Sequence, residues 1–244
     1  MAKFSVIVAA AGKSERFGGS EKKTFVKLDG RAVFLRSVEL FINRKDVCQT
    51  LLVVGPEDME EMKSRYAANL GFMGVKVVTG GARRCDSVAA GLKEVAAEAE
   101  YVAVHDAARP CATEEMIDAV FAAAVKTGAA ILASPLTGTI KRVSGKLVVE
   151  ATVPRTALYE AQTPQVFKKD LLLGAYENFG TGVGEATDDA ELVERTGQAV
   201  SVVPADASNL KITAKGDLAL AQAILKARPG KAGPRMGAFE EAQW

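Results

Sequence analysis

Glycines and positively charged side chains cluster directly after the first apolar run of this sequence. The cluster, here called the cradle loop, covers residues 10–23, with its glycines and cations at Gly12, Lys13, Arg16, Gly18, Gly19, Lys22 and Lys23. Glycines let a backbone bend so that its N–H groups point inward, and such groups beside lysine and arginine bind phosphate oxygens. The residue types therefore indicate a polyphosphate site, while a solvated basic loop explains this segment alone about equally well.

A second glycine-rich loop runs from Gly80 to Ser87. Gly80 and Gly81 permit close approach of the backbone to a ligand, and Ser87 with the start of the following helix offers hydrogen-bond donors to a base or a phosphate. The alternative is an ordinary capped helix start, and the pair of glycines by itself is a weak signal.

The third chemically distinctive segment is His105–Pro110. Asp106 could hold Mg²⁺ or a ribose while Arg109 holds a phosphate, or the two side chains could simply pair with each other. His105 is the only histidine of the chain, which excludes a Ser-His-Asp triad or a two-histidine metal site built with another histidine. We expect His105 to be structural.

Alternating strand and helix patterns must position these three loops. Short β-branched runs predict strands at Val6–Val8, 49–55, 75–79, 101–105 and 129–133, and apolar residues at helical spacing predict helices over 32–44, 57–70, 83–97 and 113–126. The rhythm indicates an α/β fold, a single-domain doubly wound, Rossmann-like mostly parallel sheet. Ligands of such sheets bind at the carboxyl ends of the strands, where all three loops lie, so the loops can converge.

The second half of the chain departs from this rhythm. Residues 139–143 and 146–151 predict a protruding β-hairpin arm, about 137–155, with a two-residue turn at Ser144-Gly145. Its apolar alternation needs cover, either from its own sheet or from a partner's arm. Later segments predict helices over 168–178, from Thr187 and over 215–226, a strand at 198–203 and a flexible glycine-rich stretch at 180–184. Residues 1–227 form the predicted domain, and 228–244 a tail outside the core.

Composition excludes several classes of protein. The 244 residues are 48% hydrophobic and 25% charged with a net charge of +1, so no global field favours nucleic acid or an anionic membrane surface. Cys48, Cys85 and Cys111 lie far apart, which is typical of reduced thiols in a cytoplasmic protein. With neither a signal-like start nor a run of membrane-spanning length, we expect a cytoplasmic enzyme without membrane partners.

The cradle loop matches neither of two familiar phosphate-binding loops. It contains Gly12-Lys13-Ser14 but lacks the earlier glycine of a P-loop, and it is not the GxGxxG fingerprint of a dehydrogenase. It resembles instead the signature of sugar and polyol nucleotidyltransferases, in which an Ala-Ala-Gly loop is followed by an arginine and then a lysine, here Arg16 and Lys23.

Further motifs make this resemblance specific. In order they are Ala10-Ala11-Gly12 with Arg16 and Lys23, Gly80-Gly81 with Arg84 and Asp86-Ser87-Val88, His105–Pro110, Thr163-Pro164-Gln165 and Asn209–Thr213. Together they resemble the 2-C-methyl-D-erythritol 4-phosphate cytidylyltransferase family from roughly Phe4 to Ala227. The ribitol 5-phosphate cytidylyltransferases are similar in pattern, and the sequence does not decide between the two acyclic substrates.

The resemblance implies that a polyol phosphate attacks the α-phosphorus of CTP, giving a CDP-polyol and pyrophosphate, with Mg²⁺ bridging the triphosphate. Such a transfer needs positioning and charge neutralisation rather than a protein nucleophile. By resemblance, the catalytic residues are Arg16, Lys23 and Lys211. CTP would be bound by Ala10, Ala11, Gly12, Lys13, Gly81, Arg84, Ser87, Asp106 and Ala107. The polyol phosphate would be bound by Asp106, Arg109, Thr139, Arg155 and Thr163.

Three implications of the resemblance concern assembly, metal and alternatives. Family arms interlock in a homodimer, which favours a partner's arm as cover for the hairpin. Mg²⁺ would be held mainly by the CTP phosphates, with Asp106 as a candidate ligand and no certain protein site. The alternative of a different class is a regulatory protein that binds CTP without turnover, which the retained Arg16, Lys23 and Lys211 disfavour.

The chain departs from the family pattern at three positions. Lys22 stands where the family has a proline, so either of two neighbouring lysines could match the catalytic lysine. Lys23 is favoured because Phe25 then falls at the position of a family aromatic residue. Ala82 replaces an acidic residue, which predicts the loss of a ribose contact. Ser14 replaces a loop glycine, which predicts a stiffer cradle loop.

Overall fold

The structure, a computed structural model, describes residues 1–12, 14, 17–18, 22–179 and 186–228. Its strands are β1 Phe4–Ala9, β2 Lys27–Leu28, β3 Arg31–Ala32, β4 Val47–Val54, β5 Val75–Thr79, β6 Tyr101–Asp106, β7 Ala129–Pro135, β8 Ile140–Val143, β9 Val149–Val153, β10 Tyr159–Lys168 and β11 Ser201–Pro204. Its α-helices are α1 Val33–Glu39, α2 Met59–Glu61, α3 Ala67–Phe72, α4 Arg84–Leu92, α5 Glu114–Thr127, α6 Lys169–Phe179, α7 Asp189–Glu194 and α8 Gly216–Ala227. A 3₁₀ turn, Pro56–Asp58, precedes α2, and a π-helical turn, Met62–Tyr66, joins α2 to α3.

The central sheet has the order β11-β7-β10-β6-β1-β4-β5 among the described residues. β1 pairs in parallel with both β4 and β6, so the chain order reverses around β1, where such folds bind ligands. The predicted doubly wound, mostly parallel α/β sheet is confirmed. An antiparallel strand, β10, lies between β6 and β7 and was not predicted.

Helices cover both faces of the sheet, and the side chains of each strand alternate between the two faces, so both sets are buried. On one face Val6 and Val8 of β1 lie in a cluster with Phe34 of α1 and Phe121 of α5. On the other face Ile7 belongs to a second cluster with residues of α4, α6 and α7. The continuous apolar runs read from the sequence are therefore those of strands covered on both sides.

The helix predicted over 113–126 matches α5 within one residue at each end. The Thr113 hydroxyl accepts the N–H of Met116 at 3.2 Å and caps α5, which ends at the left-handed Gly128. The helix predicted over 32–44 is shorter than expected and ends at Glu39. Beyond it the chain tightens, with the N–H of Phe41 donating to the carbonyl of Val38, so the apolar pattern continues through turns rather than helix.

The arm, residues 137–155, forms the separate two-stranded sheet β8-β9. The predicted two-residue turn is wrong: the loop spans residues 144–148, with Leu147 at φ 58° and the N–H of Ser144 donating to the carbonyl of Val148. Leu147, placed in the second strand by the sequence pattern, therefore lies in the loop and is 85% exposed. Val149 is also exposed, so this chain alone leaves apolar surface of the arm uncovered.

None of the helices in the described part of the chain is both long and apolar enough to cross a membrane.

Candidate active site

A cavity of about 200 Å³ opens at the carboxyl ends of β1 and β6. It is lined by Ala9, Ala10, Ala11, Gly12, Lys23, Thr24, Arg84, Ser87, Asp106, Ala108 and Lys211. The predicted convergence of the three loops is therefore present, and Lys211 joins them from the segment before α8. The lysine and arginine side chains around this small cavity suit it to an anionic ligand.

The two neighbouring lysines of the cradle loop have different surroundings. Lys22 Nζ lies 2.5 Å from Glu57 Oε1 and 2.7 Å from Asp58 Oδ2, on the 3₁₀ turn after β4. Burial opposes its charge, but hydrogen bonds to the two carboxylates outweigh this and raise the pKa of Lys22. Lys23 instead lines the cavity. The placement agrees with the choice of Lys23 as the residue that meets the ligand.

Ser14 helps to hold Lys23 in this position. Its hydroxyl oxygen accepts the backbone N–H of Lys23 at 3.2 Å. The Ser14 backbone has φ 57°, in the left-handed region where glycine is the least strained residue. Ser14 therefore adopts a backbone conformation that glycine takes with less strain, and its hydroxyl adds a hydrogen bond within the loop.

The glycine pair after β5 is required by close packing. A Cβ on Gly80 would lie 2.6 Å from Ser87 Oγ and 2.9 Å from Val53 Cγ1, which real side chains do not tolerate. The Ser87 hydroxyl accepts the N–H of Gly81 at 3.2 Å and donates to the carbonyl of Arg83 at 3.1 Å. Ser87 thus ties the loop to α4 and also contributes to the cavity wall.

Asp106 is the electrostatic centre of the site. Its Oδ2 lies 2.5 Å from Lys211 Nζ and 3.9 Å from Arg109 Nε, and its Oδ1 accepts from Arg84 Nε at 3.3 Å. Burial opposes ionisation, but the positive charges of Arg84 and Lys211 outweigh it and hold the pKa of the Asp106 carboxyl well below its usual range. Asp106 is therefore an anion at any pH near neutrality and organises the cations around it.

Arg84 bridges the cavity to a buried acidic group. Its Nη2 donates to Asp189 Oδ2 at 2.7 Å, and the Tyr176 hydroxyl donates to the other oxygen, Oδ1, at 2.6 Å. Burial by itself would lower the pKa of Arg84, but the negative charges of Asp189 and Asp106 outweigh burial and raise the pKa above its ordinary value. Asp188 caps α7, which begins at Asp189, two residues after the predicted start at Thr187, whereas Asp189 itself faces inward and fixes Arg84. This second role was not predicted.

His105 is fully buried and both of its ring nitrogens have partners. Nε2 lies 3.0 Å from the carbonyl of Arg109 and Nδ1 lies 3.2 Å from Thr163 Oγ1, which also accepts the N–H of Asp106 at 3.0 Å. Burial lowers the pKa of His105 to about 4, so the ring is neutral near pH 7. The expected structural role is confirmed, and Thr163 positions Asp106 through the same network.

Arg109 holds loops together below the cavity. Its guanidinium is buried, donating from Nη1 to the carbonyl of Asn209 at 2.6 Å and from Nη2 to that of Ala161 at 3.4 Å. The N–H of Ile212 donates to the carbonyl of Ala108 at 2.8 Å, which docks the same segment and brings Lys211 to the cavity. Arg109 is thus turned toward backbone carbonyls, and its contact with a polyol phosphate stays a prediction.

The structure places the predicted site residues in four groups. Those that line the cavity are Ala10, Ala11, Gly12, Lys23, Arg84, Ser87, Asp106 and Lys211. Those that adjoin it through hydrogen bonds to its walls are Gly81, Ala107, Arg109 and Thr163. Thr139 and Arg155 are exposed at the base of the arm and do not line the cavity. Arg155 Nη1 donates instead to the carbonyl of Thr137 within the arm. Lys13 and Arg16, together with the predicted flexible stretch 180–184, lie outside the described residues.

The described residues offer a metal ion limited protein ligation. No group of three or more His, Cys, Asp or Glu side chains that could hold a metal occurs in residues 1–12, 14, 17–18, 22–179 and 186–228. Asp106 is the carboxylate of the described cavity wall and already pairs with cations. This donor set fits an ion that is held mainly by a triphosphate, with Asp106 as the protein group within reach.

Sequence reasoning missed one polar residue of the cavity and the two side chains that hold Arg84. Thr24 lines the wall beside Lys23, and its position directly after the catalytic candidate is the signal that could have identified it. Asp189 and Tyr176 carried no such signal, because their partner is distant in the sequence.

Comparison with known sequences gives one consistent result. Residues 4–227 match the family described as IspD, 2-C-methyl-D-erythritol 4-phosphate cytidylyltransferase. A protein of that name from Rhodopirellula baltica is 43% identical over 235 residues, which cover 92% of this chain and 95% of the relative. One from Endomicrobium trichonymphae is 42% identical over 226 residues, covering 92% and 99%.

Solved structures agree with the sequence comparison. The crystal structure of 4-diphosphocytidyl-2C-methyl-D-erythritol synthase from Anaerococcus prevotii is similar with a TM-score of 0.79 and 29% identity, covering 92% of this chain and 96% of that one. The 2-C-methyl-D-erythritol 4-phosphate cytidylyltransferase of Thermus thermophilus is similar with a TM-score of 0.75 and 31% identity, covering 91% and 98%.

Proposed function

Because this chain belongs to the 2-C-methyl-D-erythritol 4-phosphate cytidylyltransferase family, we propose that it transfers CMP from CTP to 2-C-methyl-D-erythritol 4-phosphate. The products are CDP-methylerythritol and pyrophosphate, in the synthesis of isoprenoid precursors. The observation that carries this function is the meeting of Lys23, Arg84 and Lys211 around one cavity beside the Ala10–Gly12 backbone.

The chemistry follows from the charges of the two substrates. A phosphate oxygen of the polyol phosphate attacks the α-phosphorus of CTP, and the bond from that phosphorus to the β-phosphate oxygen breaks, releasing pyrophosphate. Two anions must approach and negative charge then grows on the leaving group. Lys23 and Lys211 bind the phosphates and oppose this charge, and the Gly12 backbone with Ser87 holds the nucleotide. Arg16 supports the same step from the cradle loop.

Asp106 and the residues that position it serve the polyol side of the reaction. An ionised carboxylate accepts hydrogen bonds from the substrate's hydroxyl groups, and Thr163 fixes its backbone through the 3.0 Å hydrogen bond. Lys211 and Arg84 already lie against Asp106, so the cations that meet the phosphates are positioned before substrate binds. Preorganised charge of this kind needs no rearrangement during the reaction.

We also propose that the reaction depends on Mg²⁺ bound with CTP. The ion neutralises phosphate charge when bound, and Asp106 is the described carboxylate that could hold it.

The free thiols Cys48, Cys85 and Cys111 support the cytoplasm as the compartment in which the protein works.

We further propose a homodimer in which each arm reaches the neighbouring subunit. Exposed apolar residues of the arm, such as Leu147 and Val149, support this, since a lone two-stranded sheet is marginal in water. Thr139 and Arg155 lie outside the cavity lining of their own chain. In the dimer they complete the polyol-phosphate site of the partner.

The activity itself is tested by pyrophosphate release. Purified protein with CTP, 2-C-methyl-D-erythritol 4-phosphate and Mg²⁺ is expected to form CDP-methylerythritol, and excess chelator is expected to reduce the rate to background because the triphosphate charge is then unscreened. Chromatographic measurement of CDP-methylerythritol gives both rates, because unlike a coupled phosphate assay it does not itself require Mg²⁺. Full activity in excess chelator would contradict the metal dependence.

Matched substrates separate the alternatives in the same assay. ATP, GTP and UTP should be poor replacements for CTP. A clear preference for ribitol 5-phosphate would assign the chain to the related polyol, and CTP binding without product from either polyol phosphate would indicate a non-catalytic regulator.

A further inference from the structure

We infer that Thr24 binds substrate, its hydroxyl donating a hydrogen bond to a phosphate oxygen of CTP. This inference rests on the proposed function and adds a binding residue to it. Thr24 follows Lys23 in the sequence and precedes the buried Phe25. It lines the cavity, yet only 3% of its surface is exposed.

The Thr24 hydroxyl is unsatisfied within the described part of the chain. Its Oγ1 is buried and has no hydrogen-bond partner there. Buried polar atoms are nearly always hydrogen-bonded, because water that would otherwise solvate them is excluded. Because Thr24 belongs to the cavity wall, a phosphate oxygen of the substrate would supply the missing partner once the hydroxyl turns toward the cavity.

The backbone around Thr24 is held from several sides. The carbonyl of Thr24 accepts the N–H of Phe34 at 2.9 Å, and the N–H of Phe25 donates to the carbonyl of Lys22 at 2.9 Å. On the preceding side, Lys22 pairs with Glu57 and Asp58, and Ser14 accepts the N–H of Lys23. These contacts fix the backbone of Thr24, so turning its hydroxyl toward a ligand in the cavity requires only rotation about the Cα–Cβ bond.

The charge of the cavity identifies the ligand group. Lys23, Arg84 and Lys211 line the same space, which selects an anionic group, and a phosphate oxygen accepts a hydroxyl hydrogen bond. Both substrates carry phosphate. The triphosphate of CTP is favoured because Thr24 shares the cavity wall with Ala10, Ala11 and Gly12, the backbone that is suited to a polyphosphate.

The test compares Thr24→Val, which keeps the shape and removes the hydroxyl, with Thr24→Ser, which keeps the hydroxyl. Thr24→Val is expected to lower kcat/KM for CTP by about 10- to 100-fold, the scale of one hydrogen bond to a charged group. Thr24→Ser should restore most of this loss. The KM for the polyol phosphate at saturating CTP should stay near that of the wild type.

Thermal unfolding separates binding from structure. Without ligand, Thr24→Val should unfold no lower than the wild type, since it removes an unsatisfied buried polar atom. The rise in Tm on adding CTP with Mg²⁺, or inorganic pyrophosphate with Mg²⁺, should be smaller than for the wild type. A purely structural hydroxyl would instead lower the Tm of the ligand-free protein and leave the ligand-induced rise unchanged.

Three results would overturn the inference. They are unchanged kcat/KM for CTP in Thr24→Val, a defect confined to the KM of the polyol phosphate, and loss of ligand-free stability with no change in the CTP-induced shift. If the wild type itself forms no product from either polyol phosphate, the proposed function fails. Thr24 is then judged by the CTP-induced shift alone.

Discussion

Lys23→Ala is expected to lower kcat by about 10²–10³, or about 2.7–4 kcal/mol, the scale of one electrostatic group aimed at charge that develops in the transition state. The KM for the polyol phosphate should change much less, because Lys23 acts on charge that grows as the α-phosphorus is attacked. Arg16→Ala is expected to behave in the same way. Steady-state kinetics with each substrate varied in turn provide the measurement.

Lys22→Ala is the matched control for Lys23→Ala. Lys22 Nζ pairs with Glu57 and Asp58 and does not line the cavity, so its removal should lower kcat only slightly. The expected loss of fold stability is about 1–3 kcal/mol, since the pair with Glu57 is solvent-exposed but Asp58 is buried and loses a charged hydrogen-bond partner. Equal damage from the two substitutions would mean that the missing proline shifts the alignment and that Lys22 shares the catalytic position.

Co-expressed Arg16→Ala and Arg155→Ala chains are expected to regain activity that neither variant has alone. If each active site combines Arg16 and Lys23 of one chain with Arg155 of its neighbour, a mixed dimer has one site without any substitution. Equal expression should then give about a quarter of the wild-type activity, because about half of the dimers are mixed and each has one intact site. Differential tags allow the mixed dimer to be purified and assayed directly.

A second mixture serves as the control. Arg16 and Lys23 belong to the same cradle loop, so co-expressed Arg16→Ala and Lys23→Ala chains should stay inactive in a verified mixed dimer. Failure of the Arg16→Ala and Arg155→Ala mixture in an equally verified dimer would place Arg155 in the site of its own subunit. It would also remove the proposed role of the arm in catalysis.

The local pattern of the sequence determined the main elements of the fold and most of the cavity. The apolar run before Gly12 identified β1, and Val75–Thr79 was predicted with the bounds that β5 has in the structure. These predictions succeeded because burial on both faces and turn formation leave their mark within a few neighbouring residues. The carboxyl-end rule for parallel sheets then brought three loops to one place without any knowledge of side-chain contacts.

Pairing between distant segments was decided only by the tertiary structure. β10 is antiparallel between β6 and β7, and hairpin periodicity misplaced Leu147, since register depends on partners that periodicity does not name. Asp189 holds Arg84 across more than a hundred residues of chain, and Glu57 with Asp58 separates Lys22 from Lys23. The sequence placed two lysines side by side, but Coulomb attraction acts through space, so the folded arrangement of carboxylates decided that Lys22 pairs with Glu57 and Asp58 while Lys23 lines the cavity.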